Sequence, residues 1–331
     1  MKMRKKPVQP RNPKESPIDP ARREFLRNGV TALTFAAGCG LFGFGTVAHA
    51  DPKRGQVARL GFVNPGGLTV APDGAVMVAD SGNYCIKVLD AQLNPVGRFG
   101  KPGYGHGRLN FPTGLALDAD GLLYVTDTNN ARICRYNRDG EHLDSFGSLG
   151  GTPGHLFTPA GVCLARSGGL LVANTRGHNV QAFDVRTRDA VAVWGILGDD
   201  RTDLMPGDLD YAFRLPTAVV ENDAGEILVL DSKHGHVKVL DAKGVYLRSL
   251  AGDPGRPGEL NAAMDMALAP SGGLYVADTG NKRVVRITDG GDVAAERSEG
   301  FSRPRAVEIG PDGLLYVLDS EEGSLTRMEP F

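Results

Sequence analysis

Six histidines lie beyond residue 50, and five of them fall in turn-like stretches: His106, His155, His178, His234 and His236. Imidazole serves metal binding and acid–base work near neutral pH. Gathered on one surface, these side chains would suit a metal or haem ligand set. Equally, polar residues collect in loops for no chemical reason. No two of them have a helical metal spacing, and His234-Gly235-His236 is a weak signal alone. A second group is acidic. The stretch 198–214 carries Asp199, Asp200, Asp203, Asp208 and Asp210 with Leu204, Met205 and Tyr211. Asp203, Asp208 and Tyr211 are its candidate contacts, in a partner-docking loop, a loose calcium site or a solvated insertion. The spacing fits no EF-hand loop. A third group is the pair Asp265 and Arg305, whose meaning depends on the elements around them.

Those elements repeat. Asp80, Asp127, Asn174, Asp231, Asp278 and Asp319 are spaced by 47, 47, 57, 47 and 41 residues. Fifteen residues before each comes Pro65, Pro112, Pro159, Pro216, Ala263 or Pro304. Six residues after each comes Ile86, Ile133, Val180, Val237, Val284 or Leu325. The copy from Phe111 onward reads as strand, Asp-Gly turn, strand, Asn-rich turn, strand. Its expected strands are Leu115–Asp118, Leu122–Thr126, Ile133–Tyr136 and His142–Phe146. Runs such as Leu274-Tyr275-Val276-Ala277 are apolar throughout, which suits sheets covered on both faces. No long stretch beyond residue 50 keeps a helical period. Six small sheets that bury themselves only by radial stacking make an all-β, six-bladed β-propeller of four-stranded antiparallel blades. The last copy stops at its third strand. The stretch Val57-Ala58-Arg59-Leu60-Gly61 resembles the fourth strand Val96-Gly97-Arg98-Phe99-Gly100, so the N-terminal strand should complete the last blade.

The Pro-x-Gly, Asp-Gly and aromatic-Val-x-Asp-Thr-x-Asn-x-Arg-Ile pattern of residues 112–133 resembles the NHL repeat. In-register copies cover residues 56–331. Copies three, four and six are degenerate, with Asn174 for Asp and with Gly177, His234 and Glu322 for the turn Asn. In this topology the fourth-to-first-strand loops and second-to-third-strand turns share one face. The five loop histidines should lie there, with His142 elsewhere on a strand. NHL propellers include a lyase that completes peptide amidation, with zinc-binding histidines directly after the Pro. Here that slot holds Gly66, Thr113, Ala160, Thr217, Met264 and Arg305, so no zinc ligand carries over. The same slots offer no carboxylate ring for a calcium lactonase. The next slot holds Gly67, Gly114, Gly161, Ala218 and Ala306, but Asp265 in copy five. A carboxylate among small residues needs a partner or a shifted pKa. Asp265 therefore either pairs with Arg305 between two blades or anchors a polar ligand at the channel. The recurring pairs Asp127 with Arg132 and Asp278 with Arg283 are expected to be scaffold bonds.

Residues 1–50 read as an export signal that is cleaved after Ala50, ahead of a propeller over 51–331. Arg22-Arg23-Glu24-Phe25-Leu26 resembles the twin-arginine motif, and Arg22, Arg23, Phe25 and Leu26 carry the resemblance. A Gly- and Ala-rich apolar run follows, ending Ala48-His49-Ala50. The alternative is retention of that run as a membrane anchor. Nine Lys/Arg and three Asp/Glu lie in this segment, so the rest carries 28 basic against 36 acidic residues, net −8. That balance disfavours nucleic acid and anionic membrane surfaces. Cys85, Cys134 and Cys163 are odd in number and sit in apolar strands, so buried free thiols are expected.

No nucleophile elbow, zinc-protease motif, Cys-x-x-Cys-His site or phosphate loop is present. The expectation is a periplasmic, monomeric and non-enzymatic propeller that binds a protein partner or ligand through its loop-rich face and channel mouth. Twin-arginine export suggests a companion of a periplasmic redox complex. No cofactor is evident, although a metal held by loop histidines is open. The alternative is a metal-dependent hydrolase or lyase at the channel mouth.

Overall fold

The computed structural model describes residues 55–195, 212–252 and 259–331. Among these are six four-stranded antiparallel sheets, five of them simple meanders of consecutive strands. Blade one uses Leu68–Val70, Val76–Asp80, Cys85–Leu89 and Pro95–Phe99. Blade two uses Pro112–Leu117, Leu123–Asp127, Arg132–Tyr136 and His142–Phe146. Blade three uses Pro159–Leu164, Leu170–Asn174, Asn179–Phe183 and Ala190–Gly195. Blade four uses Pro216–Glu221, Ile227–Asp231, His236–Leu240 and Tyr246–Leu250. Blade five uses Asp265–Leu268, Leu274–Asp278, Arg283–Ile287 and Val293–Arg297. Blade six takes Pro304–Ile309, Leu315–Asp319 and Ser324–Met328, and its fourth strand is Gln56–Arg59. The ring closes as expected, with Ala58 opposite Leu325 and Gln56 opposite Arg327. Arg22, Arg23, Phe25 and Leu26 lie outside the described residues, as do Asp203, Asp208 and Tyr211.

Hydrophobic burial explains why the sheets stack. The second strand is buried at every residue in blades two to six. Its alternate side chains serve opposite neighbours. In blade two, Leu123 and Val125 pack with Ala79 and Ile86 of blade one. Tyr124, between them, packs with Val162 and Val172 of blade three. Each neighbouring pair of blades shares one such cluster, including blade six with blade one. Outer strands are wet, with three of the five residues of Pro95–Phe99 exposed.

The repeated acidic residue is a clamp. In every copy a carboxylate or amide oxygen at the end of the second strand accepts the backbone N–H of the residue 17 positions earlier, as Asp127 does from Asn110 at 2.6 Å. This ties the loop entering each blade to that blade's own turn. The second oxygen of Asp127 accepts from Asn130 and Arg132 at 2.7 and 2.8 Å. Asp278 does the same with Asn281 and Arg283. Both Asp–Arg pairs are therefore scaffold, as the repetition suggested. The hydroxyl after the clamp stitches blades together: Thr128 donates to the Pro159 carbonyl at 2.8 Å and Thr279 to that of Pro304 at 2.6 Å.

Candidate functional site

The six inner strands surround a central cavity of about 530 Å³. Their closest approach explains the small residues at its mouth. A Cβ on Gly114 would stand 2.2 Å from the Ala160 carbonyl oxygen, and one on Gly161 would stand 2.6 Å from that of Thr217. Asp265 occupies the equivalent slot of blade five, and Arg305 is the second residue of the inner strand of blade six; both line the cavity. They do not form an ion pair. Instead, Asp265 accepts the backbone N–H of Met266 at 2.9 Å and of Val307 at 3.1 Å. The physical reason is that an inner strand's free edge presents N–H groups to the channel, and each needs an acceptor. The carboxylate joins blade five to blade six through Val307. Arg305 is left without a hydrogen bond or ion pair to any described residue.

Three further carboxyls line the cavity, Glu221, Asp223 and Glu308. Sequence reasoning missed Glu308, although its slot holds Thr69, Ala116, Cys163, Val220 and Ala267 in the other copies. Like Asp265, Glu308 breaks the repeat as a carboxylate in a slot of small or apolar residues. Burial drives the Glu308 carboxyl from its ordinary 4.5 up to about 8, with the Asp265 charge adding to the rise. Burial likewise raises Asp265 from 3.8 to about 7, opposed by its two N–H donors and by Arg305. Both side chains retain some exposure to the channel, yet the enclosing strands keep them from bulk water. Burial pushes Arg305 downward, with Arg303 pushing the same way and Asp265 holding it up.

These shifts have a sign that can be read from stability. The folded protein holds protons on Asp265 and Glu308 at pH values where the unfolded chain has released them. Their contribution is fully present below about pH 4 and is lost as pH rises towards about 8. The melting temperature should fall between pH 5 and pH 8, and Glu308→Gln should flatten that fall. An unchanged pH profile in Glu308→Gln would refute the coupling.

The loop histidines do not converge on this cavity. Thr152 and the ring of His155 are hydrogen-bonded at 2.9 Å. His178 sits in a left-handed turn, and its Nδ1 accepts the N–H of Leu215 at 3.4 Å. Only His234 and His236 approach one another, with rings stacked at 5.8 Å. Together with Asp231 they place three ligand-type atoms within 4.8 Å. This trio is the clamp of blade four. His234 takes the place of the turn Asn, its Nδ1 lying 2.8 Å from Asp231 Oδ2. The ammonium of Lys238 lies 3.4 Å from the same oxygen, just as Lys87 lies 2.9 Å from Asp80 in blade one. The carboxylate already has its cation.

His106 and His142 correct the expectation more sharply. His142 lies on a strand, as expected, but its Nδ1 is 3.0 Å from Nδ1 of the loop residue His106. The loop entering blade two folds back along the outer edge of that blade, held by a short parallel pairing of Lys101–Pro102 with Arg108–Leu109. Sequence spacing carried no sign of this path. Cys85 and Cys134 are buried free thiols, as expected, while Cys163 lines the channel. Burial pushes Cys134 and Cys163 up to about 12, so both keep their protons.

The NHL repeat profile matches residues 62–89 and 109–136. No curated protein matches the sequence. Solved structures share the fold at low identity. Virginiamycin B lyase from Staphylococcus aureus is 13% identical, with a TM-score of 0.54 over 80% of each chain. Kuenenia stuttgartiensis hydrazine synthase is 14% identical, with a TM-score of 0.57 over 82% of this chain and 97% of that one. A protein of unknown function from Bacteroides thetaiotaomicron is 14% identical, with a TM-score of 0.60 over 86% of this chain and 73% of that one. Among the described residues no helix is long and apolar enough to cross a membrane.

Proposed function

Because the chain carries NHL repeats within a six-bladed propeller, we propose that it is an exported, non-enzymatic binding scaffold. Its recognition site is the channel mouth, which takes a small polar ligand or a polar side chain of a protein partner. The observation that carries this reading is Arg305, a guanidinium that lines the cavity with Asp265 and Glu308 and has no hydrogen bond or ion pair among the described residues. A desolvated charge without a partner costs free energy, and a ligand group of opposite charge removes that cost. A ligand anion would meet Arg305, and a donor group would meet the two carboxyls. Export to the periplasm is supported by the twin-arginine-like Arg22-Arg23 signal and by the net charge of the remainder, and suits a companion of a redox complex. A metal-dependent hydrolase or lyase at the mouth finds less support, since Asp231, His234 and His236 do not line the channel.

Thermal-shift screening with small carboxylates, amines and zwitterions tests the proposal. At least one class should raise the melting temperature, and Arg305→Met should abolish that rise while leaving the unliganded melting temperature within a few degrees. A rise that survives in Arg305→Met, or no rise with any class, rejects the channel as the site.

A further inference from the structure

The outer edge of blade two holds a chain of polar groups that ends in two imidazoles. It starts at the clamp: the Cys134 thiol donates to Asp127 Oδ2 at 3.7 Å. The sulfur accepts from the Ser145 hydroxyl at 3.3 Å. With its proton spent there, the Ser145 oxygen must accept from its other neighbour, His142 Nε2, at 2.8 Å. His142 is thereby set as the Nε2–H tautomer, and its Nδ1 presents a lone pair. That lone pair faces Nδ1 of His106 at 3.0 Å. The rings meet edge to face, with centroids 4.3 Å apart at 84°, and Tyr136 packs on His142 from the other side at 5.3 Å.

The loop bearing His106 is pinned to the same clamp. Asn130 donates to the Gly103 carbonyl at 3.0 Å, and Arg132 donates to those of Gly105 and Arg108 at 3.3 and 2.8 Å. Arg132 is paired with Asp127 at 2.8 Å. In this geometry His106 Nδ1–H donates to His142 Nδ1. His106 is exposed, so water reaches the pair and a metal ion can replace that proton.

We propose that His106 and His142 form a two-imidazole site for a divalent transition-metal ion of the zinc, nickel or copper type. Each ring supplies Nδ1, and water fills the remaining positions. At zinc–nitrogen distances of about 2.0–2.1 Å, a nitrogen separation of 3.0 Å corresponds to an angle of about 91–97°. A shift of a few tenths of an ångström in the exposed His106 ring opens it towards tetrahedral. Ser145 and Cys134 act as positioning residues that hold the tautomer, as outer-shell partners of metal-bound histidines commonly do. This site is independent of the channel.

Titration of the purified protein, free of any histidine tag, with zinc chloride in a calorimeter tests the assignment. The expected result is one equivalent bound that is lost, or weakened at least ~10-fold, in both His106→Ala and His142→Ala, and retained in His155→Ala. His106 is exposed, so His106→Ala should melt at the wild-type temperature without metal. Copper electron paramagnetic resonance should show coupling to two nitrogens in the wild type and to one in either variant. Ser145→Ala should weaken zinc by about 10-fold or more, and an unchanged affinity overturns the positioning chain. Zinc binding that survives intact in His106→Ala but is lost in His234→Ala moves the metal to the blade-four clamp and overturns the site.

Discussion

Asp231→Ala should destabilise the propeller by roughly 3–5 kcal/mol, the scale for removing one partner of a buried ion pair. Lys238 is fully buried, as is Asp231. Its ammonium lies 3.4 Å from the Asp231 carboxylate, donates to the Ala212 carbonyl and stands 5.6 Å over the Phe213 ring. Removing the carboxylate takes the 3.4 Å ion pair away from a fully buried ammonium. It also strips the acceptor from the Arg214 N–H and from His234. Lys238→Met alone should cost less, because those two donors still serve Asp231. The double variant should recover part of the loss, since both charges of the pair are then removed together. Denaturant midpoints of the three variants check this, and a loss below about 1 kcal/mol for Asp231→Ala would contradict the role given to the pair.

Deleting residues 51–61 should have an effect at least as large. The four-residue ladder between Gln56–Arg59 and Ser324–Arg327 carries bonds of about 0.5–1.5 kcal/mol each. Ala58 and Leu60 are lost from the cluster between blades six and one, and burial of a Leu alone is worth about 1.5–3 kcal/mol. Further bonds go with them: Lys87 donates to the Leu60 and Gly61 carbonyls at 3.1 and 3.2 Å, and Arg327 to Gln56 at 2.5 Å. The third strand of blade six then becomes an open edge, a template for pairing with other chains. The expected outcome is a shortened protein that aggregates or melts without cooperativity. A cooperative transition at the wild-type temperature would show that the ring does not depend on its N-terminal strand.

The repeat was legible because its cause is local and recurs. A chain that buries both faces of small sheets must write continuous apolar second strands, and one that clamps each loop must place an acceptor at a constant offset. Asp80, Asp127, Asn174, Asp231, Asp278 and Asp319 carry that offset in the sequence, and the six backbone bonds confirm its purpose. Ring closure was legible for the same reason: a fourth strand was missing at one end and spare at the other.

The site was legible only in part. Asp265 and Arg305 stood out because they break the repeat, and the structure does bring both to the cavity. Their pairing could not be read, because inner-strand N–H groups compete for the carboxylate and that competition depends on where the next blade's edge lies. The histidines misled for a related reason. Residue type and loop position identify a face, while the path of the loop decides which side chains touch. His106 and His142 are 36 residues apart, and only the backward fold of the loop against blade two joins them. The sequence by itself determined six blades, their clamps and their closure, since each follows from periodic burial and backbone hydrogen bonding. Tertiary structure alone decided which charges share the channel, which carboxylate receives Lys238 and which imidazoles meet, because those contacts depend on distances between blades that no spacing along the chain encodes.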